Sequence, residues 1–374
     1  MFKRIFALVK KEFIHLRNDW WMPAFMLFGG VLELLLVGWA TSRPMTNLPL
    51  MILDHDKSEA SRTVVQALAN TGTFALEDYV ESFDTIENAL IRGSINAALI
   101  IPSGFSAEIS AFDGQPKLSV ILNGAESIPA REALRAIEGV IRNMGQRISL
   151  QRLGIDPNTF SGFEFSLRVW FNERLSEALY TTPAELALML EFTVLLFAAL
   201  SFSRERELGT LEQLLVMPFT SLEIIVGKAI PVIMIGFFDF VLMLGMVHFA
   251  FKVPIRGSLT LLLILACGYL LVELCKGMVI SIFSRSQHQA FLLVMLVGLS
   301  DFMFTGYAAP VESMPQALQY FANIIPAHHW LAIVRGIMLK GAGLDVLWPH
   351  VIALIALGTV IGTFSWIYVR RALD

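Results

Sequence analysis

The amino-acid sequence predicts an α-helical polytopic membrane protein with six transmembrane helices, an N-terminal interfacial helix and a mixed α/β extracytoplasmic domain. Three observations lead there. The 374 residues are 55% hydrophobic and only 16% charged, with a mean hydropathy of +0.64, too apolar for a soluble chain of this length. Six apolar runs, roughly 20–41, 184–203, 222–250, 258–283, 288–308 and 346–369, approach the about 20 residues that a helix needs to cross a hydrocarbon core. One long polar interval, residues 42–181, has the size of a domain.

Residues 1–19 precede the first span. Phe2, Ile5, Phe6, Val9, Phe13 and Leu16 recur at helical spacing, with Lys3, Arg4, Lys10, Lys11 and Arg17 on the other side. The pattern suits a helix in the cytoplasmic interface with its basic face toward anionic headgroups. It is not a cleavable signal, because the apolar run that follows is too long and lacks a small-residue cleavage site. The first span, 20–41, opens on Trp20 and Trp21 and ends near Trp39, and the last is bracketed by Trp348 and Trp366. Each bracket covers about 27 Å of helix, close to the hydrocarbon thickness, so the indoles are expected at the two interfaces.

Orientation follows from the cations of the short connections. With the N-terminus inside, the cytoplasm collects Lys3, Arg4, Lys10, Lys11, Arg17, Arg204, Arg206, Lys228, Arg285, Arg370 and Arg371. The outer short loops keep Lys252, Arg256, Arg335 and Lys340. This asymmetry obeys the positive-inside rule. Both termini are therefore expected in the cytoplasm and residues 42–181 outside it.

Within 42–181, β-like runs (48–53, 96–101, 118–122) alternate with helical stretches (58–71, 85–92, 127–150), the pattern of a compact α/β domain. Asp54, His55 and Asp56 follow the first strand. A metal site is the weaker reading; an Asp-rich strand exit supplies turns and caps, and Asp56 with Glu59 has capping-box spacing. No metal is expected.

Residues 182–374 hold the other five spans. Thr182, Pro183 and Glu185 carry the signature of a helix start. Residues 204–218 form a charged island, read as a short helix of its own ended by Pro218 and followed by a second capping box, Thr220 with Glu223. On its wheel Leu208, Leu211, Leu214 and Leu215 cover one arc, with Glu205 and Glu212 at the edge. Such a helix suits a groove in a soluble partner, or packs on its own bundle; the pattern alone leaves both open. Residues 306–330, punctuated by Pro310, Pro315 and Pro326, read as short helices dipping into the outer leaflet. His328 and His329 are adjacent and point different ways, so an interfacial place beside Trp330 is expected rather than metal ligation. Cys267 and Cys275 lie about 12 Å apart along one helix, too far for an intrachain disulfide.

Ionisable residues inside spans are costly and tend to face cavities or partner charges. Glu33, Glu191, Asp239 and Asp301 are candidates to line a pathway for cationic amphiphiles, with structural pairing as the alternative. Glu273 and Lys276, three apart, are expected to pair with each other. The net charge of -4, without a basic stripe, gives no sign of nucleic acid.

The island carries a resemblance. RERELGTLEQLLVMP (204–218), with Glu223 and the Gly227-Lys228 of SLEIIVGK, resembles the segment after the second span in membrane subunits of type-2 ATP-binding-cassette exporters. The likeness extends over nearly the whole chain. It takes in the basic N-terminal helix, the large external domain, VWFN (169–172), GYAAPVESMP (306–315) and RGIMLKG (335–341), and it is of the bacterial multidrug-type permeases with a large periplasmic domain. It implies a coupling helix, docked in a cleft of a nucleotide-binding ATPase subunit and formed here by Glu205, Arg206, Glu207, Gly209, Thr210, Glu212 and Pro218. It also implies two permease subunits, identical or paralogous, on two ATPase subunits in the cytoplasmic (inner) membrane, with membrane lipids and a periplasmic membrane-fusion adaptor as further partners. The chain departs from the family pattern at Glu173, where members often have Pro, which puts the turn before the second span in doubt. His328-His329-Trp330 is also more polar-aromatic than that pattern.

No GxxxxGK[ST] motif occurs, so this chain is expected to hold no cofactor and to hydrolyse no ATP itself; ATP and Mg belong on the partner. The leading expectation is a permease subunit exporting drug-like or amphiphilic substrates. A proton-coupled secondary transporter using the buried acids and a non-transporting membrane scaffold for an ATPase are the alternatives.

Overall fold

The computed structural model describes residues 2–41, 46–111, 114–125, 127–153, 170–172 and 176–373. Two compact units emerge, one of Met1–Arg43 with Arg168–Asp374, the other Pro44–Leu167. The first begins with α1 (Phe2–Asn18) and α2 (Trp21–Thr41).

The inserted unit runs β1 (Leu48–Asp54), α3 (Glu59–Ala69), β2 (Phe74–Tyr79), α4 (Phe83–Ile91), β3 (Ala97–Ile101), α5 (Phe105–Ser110), β4 (Ser119–Leu122) and α6 (Ser127–Arg152). Its sheet has the order β2-β1-β3-β4, with β1 parallel to both neighbours and β4 antiparallel to β3. β1 is central, so both faces are covered. Leu48, Leu50 and Ile52 pack with Val64, Leu68 and Ile137, while Leu53 packs with Ile86 and Ala89. This is the α/β character expected of the interval, with two additions, β2 and α5. β2 escapes pattern reading because FALEDY places Glu77 and Asp78 in an edge strand with one solvated side, where alternation is weak.

The strand exit differs from expectation. Ser58, not Asp56, caps α3, and the reciprocal partner is Ser61 rather than Glu59. Lys57 takes a positive φ of 49°, which turns the chain so that the cap falls one residue past it. Asp54 Oδ1 accepts from the Asp56 and Lys57 amides, and Asp54 Oδ2 accepts from the Ser61 hydroxyl at 2.6 Å. Asp56 Oδ2 accepts from the Ser106 amide; the Ser58 side chain first, and that amide with it, hold the Asp56 carboxyl below the usual range. Both carboxylates are thus spent on turns and helix starts.

The first unit continues with α7 (Glu177–Glu207), α8 (Leu211–Val216), α9 (Ser221–Phe249), α10 (Leu259–Phe283), α11 (Gln287–Phe304), α12 (Gln316–Ala322), α13 (Pro326–Arg335) and α14 (Leu344–Leu373). Among the described residues α7, α9, α10, α11 and α14 are long and apolar enough to cross a membrane, and α2 adds a shorter apolar stretch, Met26–Thr41. This is the architecture of a multi-pass membrane protein. α7 is the hub and is buried along most of its length, whereas α14 presents most of its surface outward.

α7 starts earlier than the Thr182-Pro183-Glu185 signature implies. Ser176 is its N-cap, and Thr182 turns its hydroxyl back to the Ala178 carbonyl at 2.7 Å instead of capping. Pro183 then sits inside the helix at the cost of one backbone hydrogen bond. Asn172 closes the approach, accepting from the Ser176 amide and donating to its carbonyl. Val169 of the VWFN segment and Glu173 lie outside the described residues.

The hub packs closely. A Cβ on Gly277 of α10 would lie 2.5 Å from the Ala198 side chain and 2.7 Å from the Leu195 carbonyl of α7. Gly277→Val is therefore expected to cost about 1–3 kcal/mol of overpacking strain. The check is the thermal midpoint of the detergent-purified chain; an unchanged midpoint would show that the two helices separate freely.

Residues 306–330 form short helices punctuated by Pro310, Pro315 and Pro326 as expected, but the last, α13, runs on to Arg335 and passes into a π-helical turn, Gly336–Lys340. Trp330 is fully buried within the protein, stacked on Tyr269 at 5.0 Å and tilted against Phe240. His329 is buried too, with Nδ1 3.1 Å from His350 Nδ1 and Nε2 3.0 Å from the Asn323 carbonyl.

Candidate functional site

The charged island 204–218 is a helix end, a turn and a second short helix rather than one helix. Arg204–Glu207 complete the last turn of α7. Gly209 then takes a φ of 69°, a left-handed conformation that glycine adopts at little cost, and its amide bonds the Arg206 carbonyl while the Thr210 amide bonds that of Glu205. This closing turn reverses the chain into α8. Met217 is extended, Pro218 follows, and the expected Thr220–Glu223 capping box opens α9.

The turn splits the leucine arc. Leu208 is 57% exposed, whereas Leu214 is buried and Leu211 packs partly against the core; the Leu215 side chain lies outside the described residues. Glu205 and Glu212 separate in the same way, Glu205 inward and Glu212 outward. They do not share an edge.

The inward set is tied down by charge. Glu205 is only 3% exposed, and its Oε1 accepts from Lys11 Nζ and Lys228 Nζ, each at 2.8 Å. Lys228 also donates to Glu12 at 2.9 Å and to the Ser201 carbonyl at 3.0 Å. Arg204 pairs with Asp19 at 2.8 Å, and Arg4 donates to the Pro218 carbonyl while lying 3.8 Å from Glu223. On the other side Arg206 donates to the Ile282 and Ser284 carbonyls, and Glu207 accepts from the Gln287 amide. Thr210 turns its hydroxyl to the Glu205 carbonyl. The end of α7 is thereby latched to α1 and α9 by Glu205, and to the α10–α11 connection by Arg206 and Glu207.

The outward set is apolar with one acid. Val216 is 87% and Met217 50% exposed, beside Leu208, Glu212 and Pro218. These apolar side chains stand bare around α8.

α1 does not turn its whole basic face away from the protein. Arg4, though half exposed, reaches to the Pro218 carbonyl, Lys11 turns to Glu205, and Leu8 packs so closely on α9 that a Cβ on Gly227 would lie 2.6 Å from its own. Lys3, Lys10 and Arg17 stay exposed. Pattern reading missed Lys11 and Lys228 as partners of Glu205, and Glu12 as a second partner of Lys228; the only sequence signal was one ionisable residue, Lys228, placed within two turns of a span's start.

Deeper in the bundle, Lys276 of α10 draws three carboxylates together: Asp301 at 2.7 Å, Glu273 at 2.8 Å and Glu191 at 2.9 Å. The expected Glu273–Lys276 pair is present and is half of the story, since Glu191 of α7 and Asp301 of α11 close on the same ammonium. Tyr269 adds a long hydrogen bond to Glu191. Asp239 instead accepts from Thr193 at 2.9 Å, and Glu33 lies apart, exposed on α2. The four candidate pathway acids therefore fall in three places.

The comparisons agree with this architecture. The family described as "ABC-2 family transporter protein" matches residues 20–367. The chain is 29% identical to the "Probable multidrug ABC transporter permease YbhR" of Escherichia coli (strain K12), over 99% of each chain. It is 26% identical to the "Probable multidrug ABC transporter permease YbhS" of the same strain, covering all of this chain and 98% of that one. It is 26% identical to the strain's "Inner membrane transport permease YhhJ", over 99% and 98%. The resemblance drawn from residues 204–218 and the external interval leads to the same family. The chain belongs to the ABC-2 family of transporter proteins.

Proposed function

We propose that the chain is the permease subunit of an ATP-driven exporter that moves drug-like or amphiphilic substrates out of the cytoplasm or inner leaflet. The observation that carries this reading is the bare apolar tip, Leu208, Val216 and Met217, latched rigidly to the spans by the buried Glu205–Lys228 pair. A partner that pushes on such a tip moves α7 and α9 rather than a slack loop. The nucleotide-binding ATPase subunit is that partner, since this chain has no phosphate-cradling motif of its own. Six spans with both termini cytoplasmic put the tip on the ATPase side of the inner membrane and the inserted α/β unit on the other, within reach of a membrane-fusion adaptor.

In this mechanism two permease subunits, identical or paralogous, ride on two ATPases. Closure of the ATPases on ATP and Mg drives the tips together. Because Glu205 joins α7 to α1 and α9, and Arg206 and Glu207 join it to α10 and α11, the spans tilt as a group. Alternation between inward and outward states then follows from their different affinities for ATP and substrate. The test is transport in proteoliposomes. Export of a cationic dye that requires the ATPase and ATP supports the reading. Export by this chain alone under a pH gradient, or ATPase binding with no flux for any amphiphile, would contradict it.

A further inference from the structure

α1 lies against the rim of the bundle. Its Leu8 packs on the first two turns of α9 at Gly227, and its Lys11 and Glu12 reach the Glu205–Lys228 pair at the last turn of α7. Those two span ends mark the level at which hydrocarbon gives way to head groups. Two residues, Asp19 and Trp20, then carry the chain from α1 into α2.

The face turned away from the bundle carries two kinds of side chain. Lys3, Lys10 and Arg17 recur every seven residues, so they stand almost in line, about 10 Å apart along the axis. All three are exposed, and among the described residues none has an ion-pair partner, in contrast to Arg4 and Lys11. Phe6 and Phe13 form a second row at the same spacing beside the first, with Phe2 at its head; Phe2 is 87% and Phe6 70% exposed. Trp20 and Trp21, at the entry to α2, are bare as well. Bare rings are costly in water, and unpaired ammonium and guanidinium groups are costly in hydrocarbon. Adjacent rows of both fit the boundary, with the rings among the first acyl carbons and the cations at the phosphates.

We propose that the Lys3–Lys10–Arg17 row binds anionic phospholipid, and that this seat holds α1 against the joint at Glu205. Three cations with no acid of their own favour an anionic surface over a zwitterionic one, each contributing about five-fold in affinity. An acidic protein surface would satisfy the cations alone, whereas the aromatic row runs on to the tryptophans of the span entry and selects lipid. The phosphates take the outward cations, while Lys11 and Glu12 stay with the latch. Loss of the outward charges loosens α1 without removing any latch residue.

Two measurements on the full chain test this, and neither depends on the exporter reading. Native mass spectrometry of the delipidated chain in detergent compares phosphatidylglycerol with phosphatidylcholine of one acyl composition. The glycerol lipid is expected to bind at least about ten-fold more tightly, and Lys3→Gln, Lys10→Gln and Arg17→Gln together to abolish most of that preference. Lys10→Gln alone is expected to cut it about five-fold, and serves if the triple variant fails to fold. Arg285→Gln, which removes an exposed cation on the α10–α11 connection, is expected to leave it unchanged. In nanodiscs, replacing the choline lipid by the glycerol lipid is expected to raise the thermal midpoint of the parent chain more than that of the triple variant. Equal binding of the two lipids by the parent chain, or a midpoint response equal in both chains, would overturn the proposal. So would an undiminished glycerol-lipid preference in the triple variant, and a loss of its affinity for the ATPase subunit alongside would assign the row to that partner.

Discussion

Lys276→Met is expected to be the most damaging single change in the bundle. The methionine fills the lysine's volume but strands Glu191, Glu273 and Asp301, three carboxylates gathered on one ammonium. Removing one partner of a buried ionic group costs about 3–5 kcal/mol, a large share of the stability of any fold. The expected result is a chain that accumulates poorly and loses much of its thermal midpoint in detergent. A second variant separates charge from packing. Lys276→Met combined with Glu191→Gln, Glu273→Gln and Asp301→Asn removes all four charges, and is expected to recover most of the lost stability. A Lys276→Met midpoint equal to that of the parent chain would show that the cluster is not paired as described.

Glu205→Gln is expected to have the largest functional effect with the smaller structural one. It leaves Lys11 and Lys228 sharing a neutral amide, while Lys228 keeps Glu12 and the Ser201 carbonyl. The fold should persist with a modest loss of midpoint, because the helix packing around Leu8 and Gly227 is untouched. What goes is the rigid joint between the tip and the spans. In the reconstituted complex, ATP hydrolysis is expected to continue at near its usual rate while export falls at least about ten-fold, a loss of about 1.4 kcal/mol of coupling. Lys228→Met should behave alike, and the pair should be strongly non-additive in a double-mutant cycle.

Much of this architecture was legible before any coordinates. Spans are long, and a run such as 258–283 of nearly unbroken apolar residues leaves a helix no alternative in hydrocarbon. The Thr220–Glu223 box and the proline-punctuated helices of 306–330 were readable for the same reason, being local. The misreadings have physical causes of two kinds. At Thr182 and at Asp56 a correct local signal lost to a neighbour: Thr182 bonded back into its own helix, and the positive φ at Lys57 handed the cap to Ser58. At Gly209 the error was to let a helical wheel run through a glycine that ends the helix.

The candidate site was legible in outline only. That residues 204–218 matter follows from charge between apolar runs. Which of them face the protein does not, because the deciding partners are distant in sequence. Glu205 meets Lys11 from 194 residues away and Lys228 from 23. Lys276 likewise meets Glu191 across 85 residues and Asp301 across 25, and only its neighbour Glu273 was within reach of a spacing rule. Without those partners, Glu205 and Glu212 look equivalent; with them, one is a joint and the other a contact.

That distinction is the central claim, and the affinity of the purified permease for its ATPase subunit measures it directly. Val216→Asp with Met217→Asp, or Glu212→Lys, is expected to weaken ATPase binding at least about ten-fold while the permease keeps its own thermal midpoint, since these side chains are exposed. Glu205→Gln is expected to leave that affinity unchanged. Loss of binding in Glu205→Gln together with full binding in the Val216 and Met217 variant would contradict the account, and would return Glu205 to the docking surface.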